Sequence, residues 1–221
     1  AAIAFGHKPD FNAVSIQGIR DVSSVDFAYA NQLGFRIKLV GVAEPGLMPR
    51  MQTCLLPLAS QLAKVNGVLN AVEFHGEPVG SVLAVGPGAG GGATSSAVLS
   101  DLIDIAAGRG GLPFGQSINT LVDANAVKNC AGPDKPFYVR LMVVDQPGVL
   151  ATLTGILQKH SISVEGLLQQ GRAPGNAVAL VMTTHETSVA NLGIALDEME
   201  KLPIVRAKPV AMPIMLVDKD T

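Results

Sequence analysis

The sequence is short of charge and of chemically reactive side chains. Charged residues make up 15% of its 221 residues, tryptophan is absent, and there are two cysteines and four histidines. The net charge of −2 gives no basic surface of the kind that nucleic-acid binding usually needs, so we expect no nucleic-acid partner. No apolar run approaches the roughly 20 residues that span a bilayer, and no signal peptide is recognisable. These absences predict a cytoplasmic protein that does not enter a membrane.

The cysteines and histidines are scattered. Cys54 and Cys130 form no Cys-x-x-Cys pair, which favours free thiols in a reducing compartment. His185-Glu186 lacks the second histidine of a metalloprotease helix, and the other histidines form no cluster. We therefore expect no metal site.

What the chain does have is a glycine-rich loop between an apolar strand, 82–85, and an apolar helix, 94–107. Five glycines lie between residues 86 and 92, and they allow the backbone to approach a ligand closely. The helix start would favour a phosphate or another anion. A tight turn with no ligand explains the loop equally well. The P-loop is excluded because no Gly-Lys-Ser/Thr follows, and Gly88-x-Gly90-x-x-Ala93 matches the dinucleotide fingerprint only loosely.

The first half predicts helices and strands in alternation. Residues 1–6 read as the last turns of a helix closed by Gly6, which favours a fragment of a longer chain. We expect helices at 25–33 and 58–64, strands at 35–43 and 51–56, and a hairpin of strands 69–75 and 80–85. Residues 108–136 are rich in glycine and proline and read as a connection spanning roughly 30 Å, so that the two halves need not touch.

The last third has the clearest pattern. Strands at 137–144, 161–168 and 177–183, helices after residue 148 and from Thr187 or Ser188, and an extended segment from Pro203 give the order β-α-β-β-α-β. This is the ferredoxin-like split βαβ arrangement. The fold class is therefore α+β: a sheet with packed helices, followed by a ferredoxin-like domain.

The turn Asp145-Gln146-Pro147-Gly148 joins the first strand of this domain to its first helix. The free N–H groups of the helix start could hold a carboxylate, and Asp145 could hold an ammonium group, so the turn suits a free amino acid. The alternative is that Asp145 only caps the helix. The spacing alone favours the cap.

Residues 138–151, with their Asp-Gln-Pro-Gly-Val-Leu turn, and the following Ser161-Ile162-Ser163-Val164 resemble an ACT domain, the amino-acid-sensing regulatory module. The resemblance implies pairing with a second ACT domain. It also implies effector contacts on the turn and the facing strand, at Asp145, Gln146, Gly148, Val149, Leu150, Ile162 and Ser163.

The first half resembles the C-terminal half of homoserine dehydrogenase through three segments: 34–41, Asn70-Ala71-Val72, and 86–102 with its Gly-Pro-Gly-Ala-Gly loop. That family reduces L-aspartate 4-semialdehyde to L-homoserine with NAD or NADP as cofactor. The resemblance implies cofactor contacts at Gly88, Gly90 and Thr94, and L-threonine as the effector. It also implies a homodimer or tetramer formed through the sheet and the ACT domain.

The family's Rossmann fingerprint and catalytic lysine would lie upstream of residue 1. Lys38 stands on a later strand, so no residue of this chain takes a catalytic role and the chain alone is expected to be inactive. The expected divisions are 1–92 for part of the substrate and dimerisation domain, 93–108 for a helix returning to the nucleotide-binding domain, 109–136 for a linker and 137–216 for the ACT domain. Two alternatives remain: a stand-alone amino-acid-binding regulator, and a dimerisation fragment that holds no ligand.

Overall fold

A computed structural model describes residues 1–8, 10–112, 114–122, 132–171 and 175–216. Helices and three sheets are mixed along these residues, which confirms the predicted α+β class. None of the helices in these ranges is both long enough and apolar enough to cross a membrane. Cys130 and part of the predicted linker lie outside the described residues.

The first half forms a three-stranded sheet with a helix packed on it. Helix α1 ends at Gly6, which adopts a left-handed conformation with φ of 67°. Strand β3 lies in the middle of the sheet, parallel to β1 and antiparallel to β2. The element bounds are α1 Ala2–Phe5, β1 Ser15–Ile16, α2 Ser24–Gln32, β2 Phe35–Val42 and β3 Arg50–Pro57.

The helix predicted at 58–64 is wrong: a 3-10 turn over Leu62–Lys64 is formed instead. Strand β3 continues as far as Pro57, whose carbonyl accepts a hydrogen bond from the Ser60 N–H at 2.9 Å. This bond closes a turn and uses the residues that would have formed the first helical turn.

An exposed arm, residues 69–106, extends from this sheet. It consists of the hairpin β4 Leu69–Gly76 and β5 Gly80–Pro87, which confirms the predicted hairpin, and helix α3 Gly91–Ala106. No residue of the arm is buried. Helix α3 begins three residues before the predicted start, with Gly90 at the N-cap position. Gly91, Gly92 and Ala93 form its first turn, where the N–H groups of a helix have no intrahelical acceptor.

The last third is a four-stranded antiparallel sheet with two helices on one face, and the predicted βαββαβ order is confirmed. The strand order is β7-β8-β6-β9. Strand β7 begins three residues later than predicted, because Ser161 takes a positive φ of 56° and the Ile162 N–H bonds back to the helix at Leu157. The bounds are β6 Phe137–Val144, α4 Val149–Lys159, β7 Val164–Gln169, β8 Ala177–Thr184, α5 Val189–Glu200 and β9 Val210–Pro213.

The two halves share a hydrophobic core, so the expectation that they need not touch is wrong. One face of the four-stranded sheet packs on α4 and α5. The other face contributes Tyr138, Val181 and Met212 to a cluster that includes Tyr29 and Leu55 of the first half. The two sheets also meet along the backbone, where the Met215 N–H donates to the Leu55 carbonyl at 2.9 Å. The physical reason is that the second face of β6 is also largely apolar, with Tyr138, Met142 and Val144 beside Arg140, and it needs cover.

Candidate effector and cofactor sites

The predicted effector turn lies between β6 and α4. The Asp145 N–H donates to the Asn176 carbonyl at 3.0 Å, and the Gly175 N–H donates to the Asp145 carbonyl at 3.3 Å. The N-cap of α4 is Gly148, with φ of 88° and no side-chain cap. Asp145 therefore lies three residues before the N-cap position, and a capping role of its side chain stays a prediction. The backbone of Asp145 is held by the turn that precedes β8.

The side chains of this turn differ in their exposure. Gln146 and Leu150 are exposed, Asp145 is half-buried, and Val149 is buried in the ACT core. The first-turn N–H groups of α4 have no acceptor within the helix, and they face a carboxylate favourably. Asp145 supplies the opposite charge at the same end of the helix.

Ile162 and Ser163 lie at the other end of the sheet. The Ser163 carbonyl accepts a hydrogen bond from the His185 N–H at 2.9 Å, and Val164 pairs with Thr184 of β8. The neighbouring residue of β8, Thr183, pairs with Tyr138, so these residues lie at the level of the start of β6. The seven steps from Phe137 to Val144 cover roughly 23 Å at about 3.3 Å per residue. One small ligand therefore cannot touch both parts of the predicted site within one chain.

A groove of 620 Å³ runs along α4 beside the start of β7. Its walls include Ile162 and Ser163, and Ala151, Thr154 and Gln158 from the helix. Since β7 is an edge strand, this groove lies at the open side of the sheet.

The glycine loop has one position that requires glycine, Gly90, and one, Gly88, where an added side chain would displace the amide of Asn70. A Cβ on Gly88 would lie 1.9 Å from Nδ2 of Asn70, and Gly90 has φ of 115° with ψ of 150°, a conformation essentially limited to glycine. The Thr94 N–H donates to the Gly90 carbonyl at 3.1 Å, so Thr94 lies one turn inside α3 rather than at its start.

Asn70 is a residue of this loop region whose position the sequence pattern did not reveal. It lies on β4 opposite Gly86, and its amide fills the space over Gly88. The register of the hairpin brings it there, and that register is set by the turn at the far end.

Lys38 has a structural environment. Its ammonium group donates to the Val65 carbonyl and, at 3.3 Å, to Oδ1 of Asn66. Burial, with the nearby Arg36, lowers the pKa of Lys38. These bonds tie the middle of β2 to the turn before β4.

A buried ion pair joins the two halves. Nε of Arg140, on β6, donates to Oδ1 of Asp26, on α2, at 2.7 Å, and the Tyr138 hydroxyl donates to the same oxygen at 2.9 Å. The other oxygen, Oδ2, accepts from the backbone N–H and the hydroxyl of Ser23 at 2.8 and 2.9 Å. Nη2 of Arg140 also donates to the Asp21 carbonyl at 3.1 Å. Asp26 is 0% exposed and the Arg140 side chain is 9% exposed.

The titration of this cluster follows from its hydrogen bonds. Burial by itself raises the pKa of Asp26, but the hydrogen bonds from Arg140, Ser23 and Tyr138 outweigh it and hold that pKa below its usual range. Burial, together with the charge of Asp26, raises the pKa of Tyr138. The cluster therefore contains an ionised carboxylate, a guanidinium and a neutral phenol.

One part of this cluster was visible in the sequence. Ser23 and Asp26 have the spacing of a capping box, in which the third residue of a helix bonds back to the N-cap. Tyr138 and Arg140 alternate with the ACT-core residues of β6, which places them on the opposite face of the strand. Their meeting with Asp26, more than a hundred residues away, could not be read from either pattern.

No group of three or more His, Cys, Asp or Glu side chains suited to a metal ion occurs in the part of the chain that the structure describes. The sites that can be built from these residues thus rest on backbone amides, carboxylates and apolar walls.

Family comparisons match two separate segments of the chain. A homoserine dehydrogenase domain matches residues 1–103, and an ACT domain matches residues 137–204. Homoserine dehydrogenases of Neisseria gonorrhoeae and of Synechocystis sp. are each 34% identical to the chain, over 96% and 97% of its length. The crystal structure of a homoserine dehydrogenase from Thiobacillus denitrificans superposes with a TM-score of 0.79 at 32% identity, over 97% of this chain.

The same comparisons concern only part of those proteins. The chain spans about half the length of the curated relatives it matches: 50% of the Neisseria gonorrhoeae protein and 52% of the Synechocystis protein. It also covers 50% of the Thiobacillus denitrificans chain. With both domains matched in order and the fold reproduced, the chain belongs to the homoserine dehydrogenase family and carries an ACT domain after its homoserine dehydrogenase domain.

Proposed function

We propose that this chain is the substrate, dimerisation and regulatory half of a homoserine dehydrogenase that reduces L-aspartate 4-semialdehyde to L-homoserine. The observation that carries the proposal is the exposed face of α3. Its large apolar side chains are each more than half exposed, yet they lie on one side of a 16-residue helix that directly follows the glycine loop. These side chains are Val98, Leu99, Leu102, Ile103 and Ile105.

A face this apolar is normally covered by another part of the protein. In our proposal its cover is a nucleotide-binding domain, which would also bring the catalytic lysine. The relatives are about twice as long as this chain, which leaves room for such a domain. Without that domain, the chain has no dehydrogenase activity.

The cofactor in this proposal is NAD or NADP, which supplies the hydride that reduces the aldehyde carbon. The loop fits a nicotinamide nucleotide in one respect: Gly88 and Gly90 present backbone without side chains, ahead of a helix start that favours negative charge. Gly88 and Gly90 would lie against the cofactor, and Thr94 would fix the first turn of α3. Asn70 holds the loop in place from the neighbouring strand.

The ACT domain, in our proposal, binds L-threonine as a feedback inhibitor. The turn at Asp145 would hold the ammonium group, and the N–H groups at Gly148, Val149 and Leu150 would hold the carboxylate. The groove at Ile162 and Ser163 would complete the site from a second copy. Two copies related by a two-fold axis bring opposite ends of their sheets together, which overcomes the roughly 23 Å that separates these groups in one chain.

The same symmetry suits the hairpin of the arm, so we infer a homodimer or a tetramer. Val72 and Phe74 of β4 pair with Ala84 and Val82 of β5 on one face, and Leu83 and Val85 lie on the other. The second face also carries Glu73 and His75, so the face with Val72 and Phe74 is the more apolar one. A two-stranded hairpin is marginal by itself and gains stability from a partner on its apolar face.

Calorimetry and an activity assay test these proposals. We expect L-threonine to bind the chain, with methionine, isoleucine and lysine at least tenfold weaker, and Asp145→Asn to abolish binding while the exposed control Asp197→Asn preserves it. The chain alone should not reduce aspartate semialdehyde with NADPH or NADH. The chain joined to the N-terminal half of the Neisseria gonorrhoeae relative should reduce it, and threonine should inhibit. A folded joined protein without activity would contradict the enzyme proposal.

If the chain binds amino acids but the joined protein is inactive, the stand-alone regulator becomes the better description. If it pairs but binds no amino acid, it is a dimerisation module.

A further inference from the structure

Helix α2 is tied to the ACT domain at both of its ends. At its start, Asp26 holds Arg140 of β6. Toward its end, the Tyr29 hydroxyl accepts a hydrogen bond from the Gln170 N–H at 3.1 Å, and Gln170 Nε2 donates to Oε1 of Gln32 at 2.6 Å. Gln170 directly follows β7.

The second attachment lies at the effector-turn end of the sheet. Gln169 pairs with Leu180, which also pairs with Leu141 of β6, so β7 ends toward the same edge as β6. At that edge the backbone of Asp145 exchanges hydrogen bonds with Gly175 and Asn176, just before β8. One connected set of contacts thus joins the effector turn, the end of β7, the start of β8 and the last turn of α2.

The two attachments differ in strength. Asp26 and Arg140 are both desolvated, and each oxygen of Asp26 already accepts two hydrogen bonds, so this end is an anchor. Tyr29 is joined to Gln170 by one neutral hydrogen bond that is only partly buried. The end of α2 is held by two neutral hydrogen bonds, from Gln170 to Tyr29 and to Gln32, so it can shift more readily than the start, where an ion pair holds the helix.

A shift of α2, which belongs to the homoserine dehydrogenase domain, would reach the three-stranded sheet of that domain directly. Helix α2 leads through Gly34 into β2, and Tyr29 and Ala30 pack in one cluster with Ile37 of that strand. The Gly34 carbonyl also accepts from the Leu58 N–H at 3.0 Å, beyond the end of β3. Packed elements of this kind shift as units because their cores resist continuous deformation.

We propose that α2 couples the turn 145–150 to the three-stranded sheet of the homoserine dehydrogenase domain, with Tyr29 as the positioning residue that links the helix to the ACT sheet. The coupling itself depends only on contacts within the chain. Its use in regulation by an amino acid rests on the effector site proposed above.

The test is hydrogen exchange on the chain without ligand, comparing the wild type with Tyr29→Phe. The variant keeps the buried ring and removes only the oxygen that Gln170 bonds. We expect the amides of residues 145–150 and 175–177 to exchange about threefold to tenfold faster, the factor that corresponds to one neutral hydrogen bond. Amides in the middle of β6 should not change, which separates this effect from a general loss of stability. Asn31→Ala, on the exposed side of α2, is the matched control and should match the wild type.

Unchanged exchange at the turn in a folded Tyr29→Phe protein overturns the proposal. So does a turn that exchanges faster only in step with the whole chain. Added L-threonine should slow exchange of the α2 amides in the wild type and not in Tyr29→Phe, since coupling is reciprocal. Absence of threonine binding by calorimetry would refute the proposed effector, while the ligand-free comparison would still decide the coupling.

Discussion

Replacing Asp26 by asparagine tests the junction between the two halves most directly. Asp26 is fully buried, and its two oxygens accept four hydrogen bonds, two on each. An asparagine must place its NH2 group on one side. There it faces either Arg140 and Tyr138 or the N–H and hydroxyl of Ser23, so donors meet donors whichever way the amide points.

The expected cost follows from the charge left behind. Removing one partner of a buried ion pair costs about 3–5 kcal/mol, because the other charge stays buried without compensation. A domain has about 5–15 kcal/mol of net stability, so the variant should fold but unfold at a much lower urea concentration. With a urea dependence of about 2 kcal/mol per molar, the midpoint should fall by about 1.5–2.5 M.

Urea unfolding, followed by circular dichroism, measures this directly. Asp101→Asn, on the exposed surface of α3, is the matched control and should stay within about 0.5 kcal/mol of the wild type. Adding Arg140→Met to Asp26→Asn should recover part of the loss, because the unpaired charge is then gone. A loss below about 1 kcal/mol for Asp26→Asn would refute the reasoning, since it would mean that water or another group compensates Arg140.

The same carboxylate predicts a pH dependence. Its folded-state pKa is lowered, so its contribution to stability is fully present above the ordinary aspartate value near about 4 and is lost as pH falls through the lower folded value. The difference in unfolding free energy between the wild type and Asp26→Asn should therefore be constant near neutral pH and should shrink in acid. A difference that grows in acid would contradict the assigned ionisation.

Three further predictions concern other parts of the chain. Gly90→Ala should reduce the stability of α3 by about 1–3 kcal/mol, because Gly90 has a φ of 115°. Gly92→Ala, with open space around it, should instead stabilise the helix by up to about 1 kcal/mol. Hydrogen exchange of the α3 amides distinguishes the two variants, and equal effects would contradict the backbone argument. Leu102→Asp should change the urea midpoint of the isolated chain little while reducing self-association in sedimentation, and a large loss of stability would mean that α3 packs within the chain. Cys54 is 0% exposed and burial raises its pKa to about 11, so iodoacetamide at neutral pH should label its peptide only after unfolding, as mass spectrometry would show.

Local patterns were sufficient where the interactions that form an element are local. The alternation along β6 and the helical spacing after Gly148 predicted the βαββαβ domain, because strand and helix periods are properties of neighbouring residues. The same reasoning failed for 58–64, where a turn at Ser60 replaced a helix, and for the start of β7, where the positive φ of Ser161 delayed the strand. The first error concerns a whole short helix and the second the start of a strand, and in each case one backbone hydrogen bond decides between the alternatives.

The candidate sites divide in a similar way. The turn at Asp145 and the glycine loop were found from sequence, because glycine and proline mark a backbone that must turn sharply. The sequence did not reveal whether Ile162 and Asp145 lie at the same end of the sheet. Strand pairing decides this, and the pairing depends on residues distant in sequence. Asn70 lies over Gly88 for the same reason.

The sequence by itself determined the elements, the family resemblance and the turn chemistry of both candidate sites, because these depend on residues close together in the chain. Only the tertiary structure decided that the two halves share a core, that Asp26 meets Arg140, and that the arm stays uncovered. These outcomes depend on which apolar surfaces, distant in sequence, pack against each other. Both faces of β6 are largely apolar and are buried, the second by the surface around Tyr29 and Leu55, with Arg140 paired to Asp26. For α3, the described residues contain no such cover.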